Sequence, residues 1–166
     1  ELARSILGAT SVSLLDFPDN RMDSIDLLEA VKAVEIFIEK YQPEIIYTHH
    51  ASDVNIDHQI VHKAVITAAR PIPNCPVKTI LTFEVMSSTE WQPPSSMRPF
   101  QPNWYVKLDQ AMLNKKLEAL KAYKDEMREW PHSRSYQAIE HLAKWRGATI
   151  GHEAAEAFEL CRSIYD

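Results

Sequence analysis

The sequence predicts an α/β protein built on a parallel sheet. Three observations predict it. Short apolar runs alternate with longer segments whose apolar residues recur at helical spacing, in the order strand, helix, strand, helix, strand. That order implies crossover connections between parallel strands. A dense polar cluster, Thr48 to His58, follows one of the apolar runs, and open α/β sheets carry their ligands at the carboxyl ends of strands.

Each element has its own local reason. Leu2, Leu7 and Gly8 read as the closing turns of a helix. Because the chain opens on Glu1 inside that helix, a further segment is expected upstream. Ser11–Phe17 reads as a strand, closed by the turn Pro18-Asp19-Asn20. A helix is expected from about Asp26 to Tyr41, where Leu27, Val31, Val34, Ile38 and Tyr41 share one face. Pro43 ends it and Glu44–Tyr47 follows as a buried strand. The next helix runs from about Asp57 to Ala69, with Val61, Ala64, Val65 and Ala68 inward, and is stopped by Arg70-Pro71-Ile72-Pro73. Val77–Met86 reads as a strand. The Ser- and Pro-rich stretch Ser87–Pro102 lacks periodicity and reads as a long surface loop of the kind that serves as a lid. Trp104–Leu108 reads as a strand. Asp109 caps a helix expected to reach about Arg128, with Leu113, Leu117 and Leu120 inward. Ser135–Arg146 is expected to be a helix ended by Gly147. A last helix is expected over about His152 to Tyr165, with Ala154, Phe158, Cys161 and Tyr165 on one stripe. With no repeat and no linker, residues 1–166 read as a single domain.

Composition narrows the function classes. The net charge is −5 and there is no basic run, so a nucleic-acid partner is not expected. No apolar stretch approaches a membrane span and no signal peptide is visible. Cys75 and Cys161 form neither a metal-ligand spacing nor a disulfide framework, and read as reduced thiols of a cytoplasmic protein. The three glycines, Gly8, Gly147 and Gly151, leave no glycine-rich phosphate loop, so dinucleotide and P-loop functions are not supported.

The cluster carries the chemistry. Between Thr48 and His58 lie His49, His50, Asp53, Asn55 and Asp57. His58 falls in the first turn of its helix and shares the inward face of Val61 and Val65. The partial positive charge of a helix N-terminus disfavours imidazolium there, and a neutral imidazole is what a metal ion takes from histidine. Asp57 beside it fits an outer carboxylate or a cap. The plainer alternative is that Asp57 caps the helix and His58 packs. His58 and His62 share the His-x-x-x-His spacing of zincin proteases, but Gln59 stands where the glutamate base would be and cannot take a proton, so a protease is rejected. His62 then reads as a surface or packing residue. Catalytic zinc takes three protein ligands. His49, His50 and Asp53 are the local candidates to complete the set, the alternative being ligands upstream of Glu1.

The run Tyr41 to His49, followed by Asp53-Val54-Asn55-Ile56-Asp57-His58, resembles the second motif of the PIG-L (LmbE-like) deacetylases. Further landmarks in the same order are Ser88–Trp91, Phe100 to Asn103, Pro131–Ser135, Arg146-Gly147 and Ala155–Phe158. Together they span nearly the whole chain. The resemblance implies a Rossmann-like fold with a mostly parallel sheet and helices on both faces. It implies a zinc-dependent hydrolase that removes acyl groups from N-acetylglucosamine-type sugars or their conjugates. It makes His58 a metal ligand, with Asp57 and Asn55 as catalytic positions. Asn55 stands where the family often has a histidine, so it offers a neutral donor to the acyl oxygen. Asp53, His132 and Arg134 are candidate substrate-binding residues. The family's first motif, of the His-Pro-Asp-Asp type, supplies the other ligands and a carboxylate base and is absent here. A βα unit of roughly 30 or more residues is therefore expected to precede this chain, and the chain alone is expected to be inactive. The alternatives are a non-catalytic relative serving as a sugar-binding or assembly module, and a fragment whose unpaired sheet edge favours homo-oligomers.

Overall fold

The computed structural model describes residues 1–94 and 97–165. The helices are α1 (Leu2–Leu7), α2 (Leu27–Tyr41), α3 (Ile56–Ala68), α4 (Gln110–Leu120) and α5 (Tyr136–Ala148). The strands are β1 (Ile45–His49), β2 (Thr79–Phe83), β3 (Trp104–Leu108) and β4 (Ala154–Ser163). The sheet order is β1-β2-β4-β3. The chain forms two compact units, Glu1–Asp16 with Tyr105–Ala157, and Phe17–Trp104 with Phe158–Asp166.

The unit beginning at Phe17 holds the histidine cluster. Its α2 ends at Gln42, in the left-handed region with φ 47°, and Pro43 turns the chain into β1. β1 pairs in parallel with β2, from Ile45 opposite Thr79 to His49 opposite Phe83. Met22, Ala30, Val31 and Ala64 are buried together under Phe17, Ile25, Val34 and Val61. Ile38, Ala69, Val77 and Ile80 form a second buried cluster with Ile46 and Cys75. Of the expected α2 face, Val31, Val34 and Ile38 pack, while Leu27 and Tyr41 at its two ends are exposed. Val61, Ala64 and Ala68 of the expected α3 face pack, and β1 presents residues 49–58 at its carboxyl end.

In the other unit, Leu113, Ala143 and Ala154 are buried with Leu108 and Leu117. Gly8 closes α1 in the left-handed region, φ 78°, as a C-terminal glycine does. Gly147 has a different reason: a Cβ there would lie 2.5 Å from the Cα of Ala154.

Four expectations are corrected. The sheet is mixed rather than mostly parallel, because β2 runs antiparallel to β4, with a register shift between Ile80 and Leu81. The segment expected as a last helix is β4. Ala154, Ala155, Ala157, Phe158 and Glu159 are all buried, so the strand is covered on both faces and loses the alternation that marks a strand. Ser11–Phe17 has no regular structure; Val12, Leu14 and Leu15 are exposed, and a strand pattern is realised only where a neighbouring strand completes the ladder. The helix begun at Asp109 stops at Leu120 and tightens into a 3-10 turn, Lys121–Tyr123.

Candidate functional site

The site is assembled by the turn between β1 and α3. Asn55 is the residue before the first helical one, and its side-chain oxygen accepts from the N–H groups of Asp57 at 2.8 Å and His58 at 3.4 Å. Those bonds satisfy two of the donors a helix start leaves unpaired. The Asn55 Nδ2 donates to Asn20 Oδ1 at 3.2 Å. Asp57 accepts on both oxygens, from Asn20 N at 2.6 Å and Met22 N at 2.9 Å. Asn55 and Asp57 thus brace the 20–22 turn against the start of α3. Gln59 donates to the Asp53 carbonyl at 2.7 Å.

Asp53 is the buried centre of the cluster, with no solvent exposure. Its Oδ1 receives the Asn55 N–H at 2.8 Å, the Ser88 hydroxyl and the His58 ring, whose Nδ1 lies 3.1 Å away. Its Oδ2 receives the Thr89 hydroxyl at 2.7 Å. Burial by itself raises the carboxyl pKa. The bonds from His58, Ser88, Asn55 and Thr89 outweigh it and hold the group well below the usual range. Asp53 is a carboxylate at any neutral pH, so the proton shared with His58 sits on Nδ1. In the neutral ring that selects one tautomer, with the lone pair on Nε2. Nε2 has no hydrogen-bond partner among the described residues, and the His58 side chain keeps 19% of its surface exposed.

The other histidines are committed elsewhere. The His49 ring stacks on His58 at 4.1 Å between centroids with 17° between planes, and meets Phe83 at 4.9 Å. Parallel rings do not aim their nitrogens at a common point. Burial, reinforced by the neighbouring His58, lowers the His49 pKa to about 4, so it is neutral at pH 7. Among the described residues its Nδ1 is buried without a hydrogen-bond partner. His50 is buried, with Nδ1 2.9 Å from Glu159 Oε2 and Nε2 3.2 Å from the Arg98 carbonyl. His62 Nδ1 lies 2.8 Å from the His49 carbonyl. Consequently no three His, Cys, Asp or Glu side chains among the described residues converge on a metal position. Of the local candidates for the ligand set, His50 and Asp53 turn their polar atoms to protein partners and the His49 ring stacks on His58.

His132 and Arg134 lie in the other unit. His132 Nδ1 accepts from Arg134 N at 3.0 Å, and the Arg134 guanidinium pairs with Glu126. Trp91 is half exposed at the end of a 3-10 turn, Thr89–Trp91. Sequence reasoning did not single out Ser88 and Thr89 as partners of Asp53, or Glu159 as the partner of His50. Nothing in the spacing ties Ser88 to a residue 35 positions away. Glu159 lay in a segment read as a helix, where a lone carboxylate passes for a solvated face.

Residues 1–69 match the family model described as PIG-L, GlcNAc-PI de-N-acetylase. The chain is 32% identical over 127 residues to a protein of Escherichia coli strain K12 named as the uncharacterized deacetylase YaiS, covering 74% of this chain and 61% of YaiS. Among solved structures, the fold is similar to the N,N'-diacetylchitobiose deacetylase of Pyrococcus horikoshii, with a TM-score of 0.69 and 14% identity over 96% of this chain and 60% of that one. It is equally similar to GalB, the 4-carboxy-2-hydroxymuconate hydratase of Pseudomonas putida KT2440, with a TM-score of 0.70 and 19% identity over 99% of this chain and 70% of that one. At such identities the likeness is one of fold. The fold serves both a deacetylase and a hydratase, so the choice between chemistries falls to the site and to the sequence relatives. The chain spans under two thirds of the length of YaiS.

Proposed function

We propose that the protein, whose residues 1–69 match the PIG-L family model and which is 32% identical over 127 residues to a named deacetylase, is part of a zinc-dependent deacetylase acting on an N-acyl amino sugar or its conjugate. The observation that carries this reading is the pairing of Asp53 with His58. A buried carboxylate holds Nδ1 and, among the described residues, leaves Nε2 without a hydrogen-bond partner beyond the carboxyl end of β1. Metal-ligating histidines are oriented in this way by a carboxylate on the far ring nitrogen.

The fit to a metal is partial. His58 matches one ligand of the three that catalytic zinc sites use, and the described residues do not complete the set. In our reading the remaining ligands and the carboxylate base come from outside these residues. When bound, zinc supplies a water of lowered pKa and an electrophile for the acyl oxygen. This chain's own residues orient. Asp53 keeps the proton on Nδ1 of His58. Asn55, fixed through its oxygen at the start of α3, retains an N–H to donate to the acyl oxygen as charge develops there, the role of an oxyanion donor. Asp57 holds the 20–22 turn beside them.

The test is acetate release from N-acetylglucosamine conjugates by the full-length protein, before and after chelation and on zinc re-addition. We expect turnover that is lost with chelator, restored by zinc and abolished by His58→Ala. The 166-residue chain by itself should show no turnover, because His58 alone cannot hold catalytic zinc. Sugar binding without turnover in the full-length protein would support the non-catalytic reading instead.

A further inference from the structure

The turn that follows β2 points two hydroxyls at a single buried carboxylate. Val85 N donates to Thr89 Oγ1 at 2.7 Å, and that same hydroxyl donates to Asp53 Oδ2 at 2.7 Å. Ser88 Oγ donates to Asp53 Oδ1 and lies 3.5 Å from His58 Nδ1. The turn is itself tied down. The Glu90 carboxylate accepts from Ser87 N at 2.6 Å and Ser88 N at 3.2 Å, and Ser87 takes a positive φ of 65°. Ser87, Ser88 and Thr89 are all buried. Burying two hydroxyls costs free energy unless their bonds are made, and here both are spent on Asp53.

Their placement has a geometric consequence. Oδ1 takes His58, Ser88 and Asn55, so contacts on that oxygen alone would leave the carboxylate free to pivot about it. Thr89 on Oδ2 removes that freedom. The carboxylate plane is then set by a backbone amide of the 85–91 turn acting through a hydroxyl, and the His58 ring follows the carboxylate.

We propose that Ser88 and Thr89 are positioning residues for the metal-ligating nitrogen of His58, acting through Asp53. The proposal rests on the reading of His58 as a ligand. It assigns the Ser88–Trp91 landmark a role in metal affinity and in the tautomer of His58, rather than in contact with substrate.

The experiment uses the full-length protein with Thr89→Val, which removes the hydroxyl and keeps the shape, together with Thr89→Ser and Ser88→Ala. Two properties are read. In the metal-free protein, long-range proton–nitrogen NMR reports which ring nitrogen of His58 carries its proton. In the presence of cobalt(II), the visible d–d absorption reports the affinity. The wild type should show a single Nδ1–H tautomer and bind cobalt(II). Thr89→Val and Ser88→Ala should show mixed tautomers and an affinity about 10- to 100-fold weaker, the usual effect of losing an outer partner. Thr89→Ser should restore both. Folded Thr89→Val and Ser88→Ala proteins with the wild-type tautomer and affinity would overturn the proposal while leaving His58 as a ligand. A wild type that binds no cobalt(II) would overturn the ligand reading itself, and the proposal with it. If Thr89→Val does not fold, Ser88→Ala and the Thr89→Ser comparison carry the same two outcomes.

Discussion

Asp53 has no exposure and four donors around it, so its charge is stabilised only by those partners. Asp53→Asn places an amide N–H₂ among groups that all donate. We expect a loss of about 2–4 kcal/mol, since four donors lose their buried charged acceptor and one of them is left facing an N–H₂. Urea unfolding at pH 7 measures it, and a loss under about 0.5 kcal/mol would show that the carboxylate is not held as described. His49 makes a separate prediction. Burial and its neighbour His58 lower its pKa from 6.5 to about 4 in the folded protein. The folded state therefore prefers the neutral ring. Its contribution is fully present above about pH 6.5 and is lost as the pH falls through 4, on the order of 3 kcal/mol in all. Unfolding free energies between pH 7.5 and 4 should fall along that window, and His49→Gln should flatten the slope. Asp53 contributes little to the slope above about pH 5, because the stability from its lowered pKa is lost only as the pH falls through the unfolded carboxyl value of 3.8 and below. The sequence made the crowding of Asp53, Asn55, Asp57 and His58 in one short turn legible, because the turn follows an apolar run, but not that Asp53 turns its carboxylate to the His58 ring. Ser88, Thr89 and Glu159 were not legible, because their roles depend on contacts made across many residues of chain.

At the scale of elements, α2 and α3 were readable because one apolar face of each packs and local signals stop them. β4 was misread for a physical reason: a strand covered on both sides lacks the strand alternation, and its apolar residues Ala154, Phe158 and Cys161 happen to fall at helical spacing. Its Glu159 has a function in the packing. It accepts from Gln101 N at 2.7 Å, pairs with His50 at 2.9 Å and lies 3.7 Å from Arg98 Nη2, while Phe100 meets the His50 ring edge-on. Residues 98–101 are thereby fastened to the end of β1. Glu159→Gln should release them, and hydrogen exchange at the Gln101 amide should quicken at least tenfold while the β1 amides hold their protection. Equal exchange in both proteins would show that the pair does not fasten the segment. In the other unit, Gly147→Ala puts a methyl 2.5 Å from the Ala154 backbone. Backbone cannot rotate aside as a side chain can, so a destabilisation of about 3 kcal/mol is expected, read as a fall in Tm of several degrees. An unchanged Tm would place α5 farther from β4 than described.

For the whole molecule, the sheet is mixed and β1 is its edge. Among the described residues, no helix is long and apolar enough to cross a membrane. The ordered landmarks resemble those of the PIG-L deacetylases, and residues 1–69, which hold the His58 motif, match the PIG-L family model. Pattern alone did not give the strand directions, because direction follows from which strands meet. The central claim is that His58 Nε2 faces a metal ion. The most direct measurement is anomalous diffraction at the zinc edge from crystals of the full-length protein grown with zinc. The account predicts a peak about 2.0–2.1 Å from His58 Nε2, with Nδ1 still on Asp53. A zinc peak elsewhere, or Nε2 hydrogen-bonded to a protein group with no peak beside it, would contradict it.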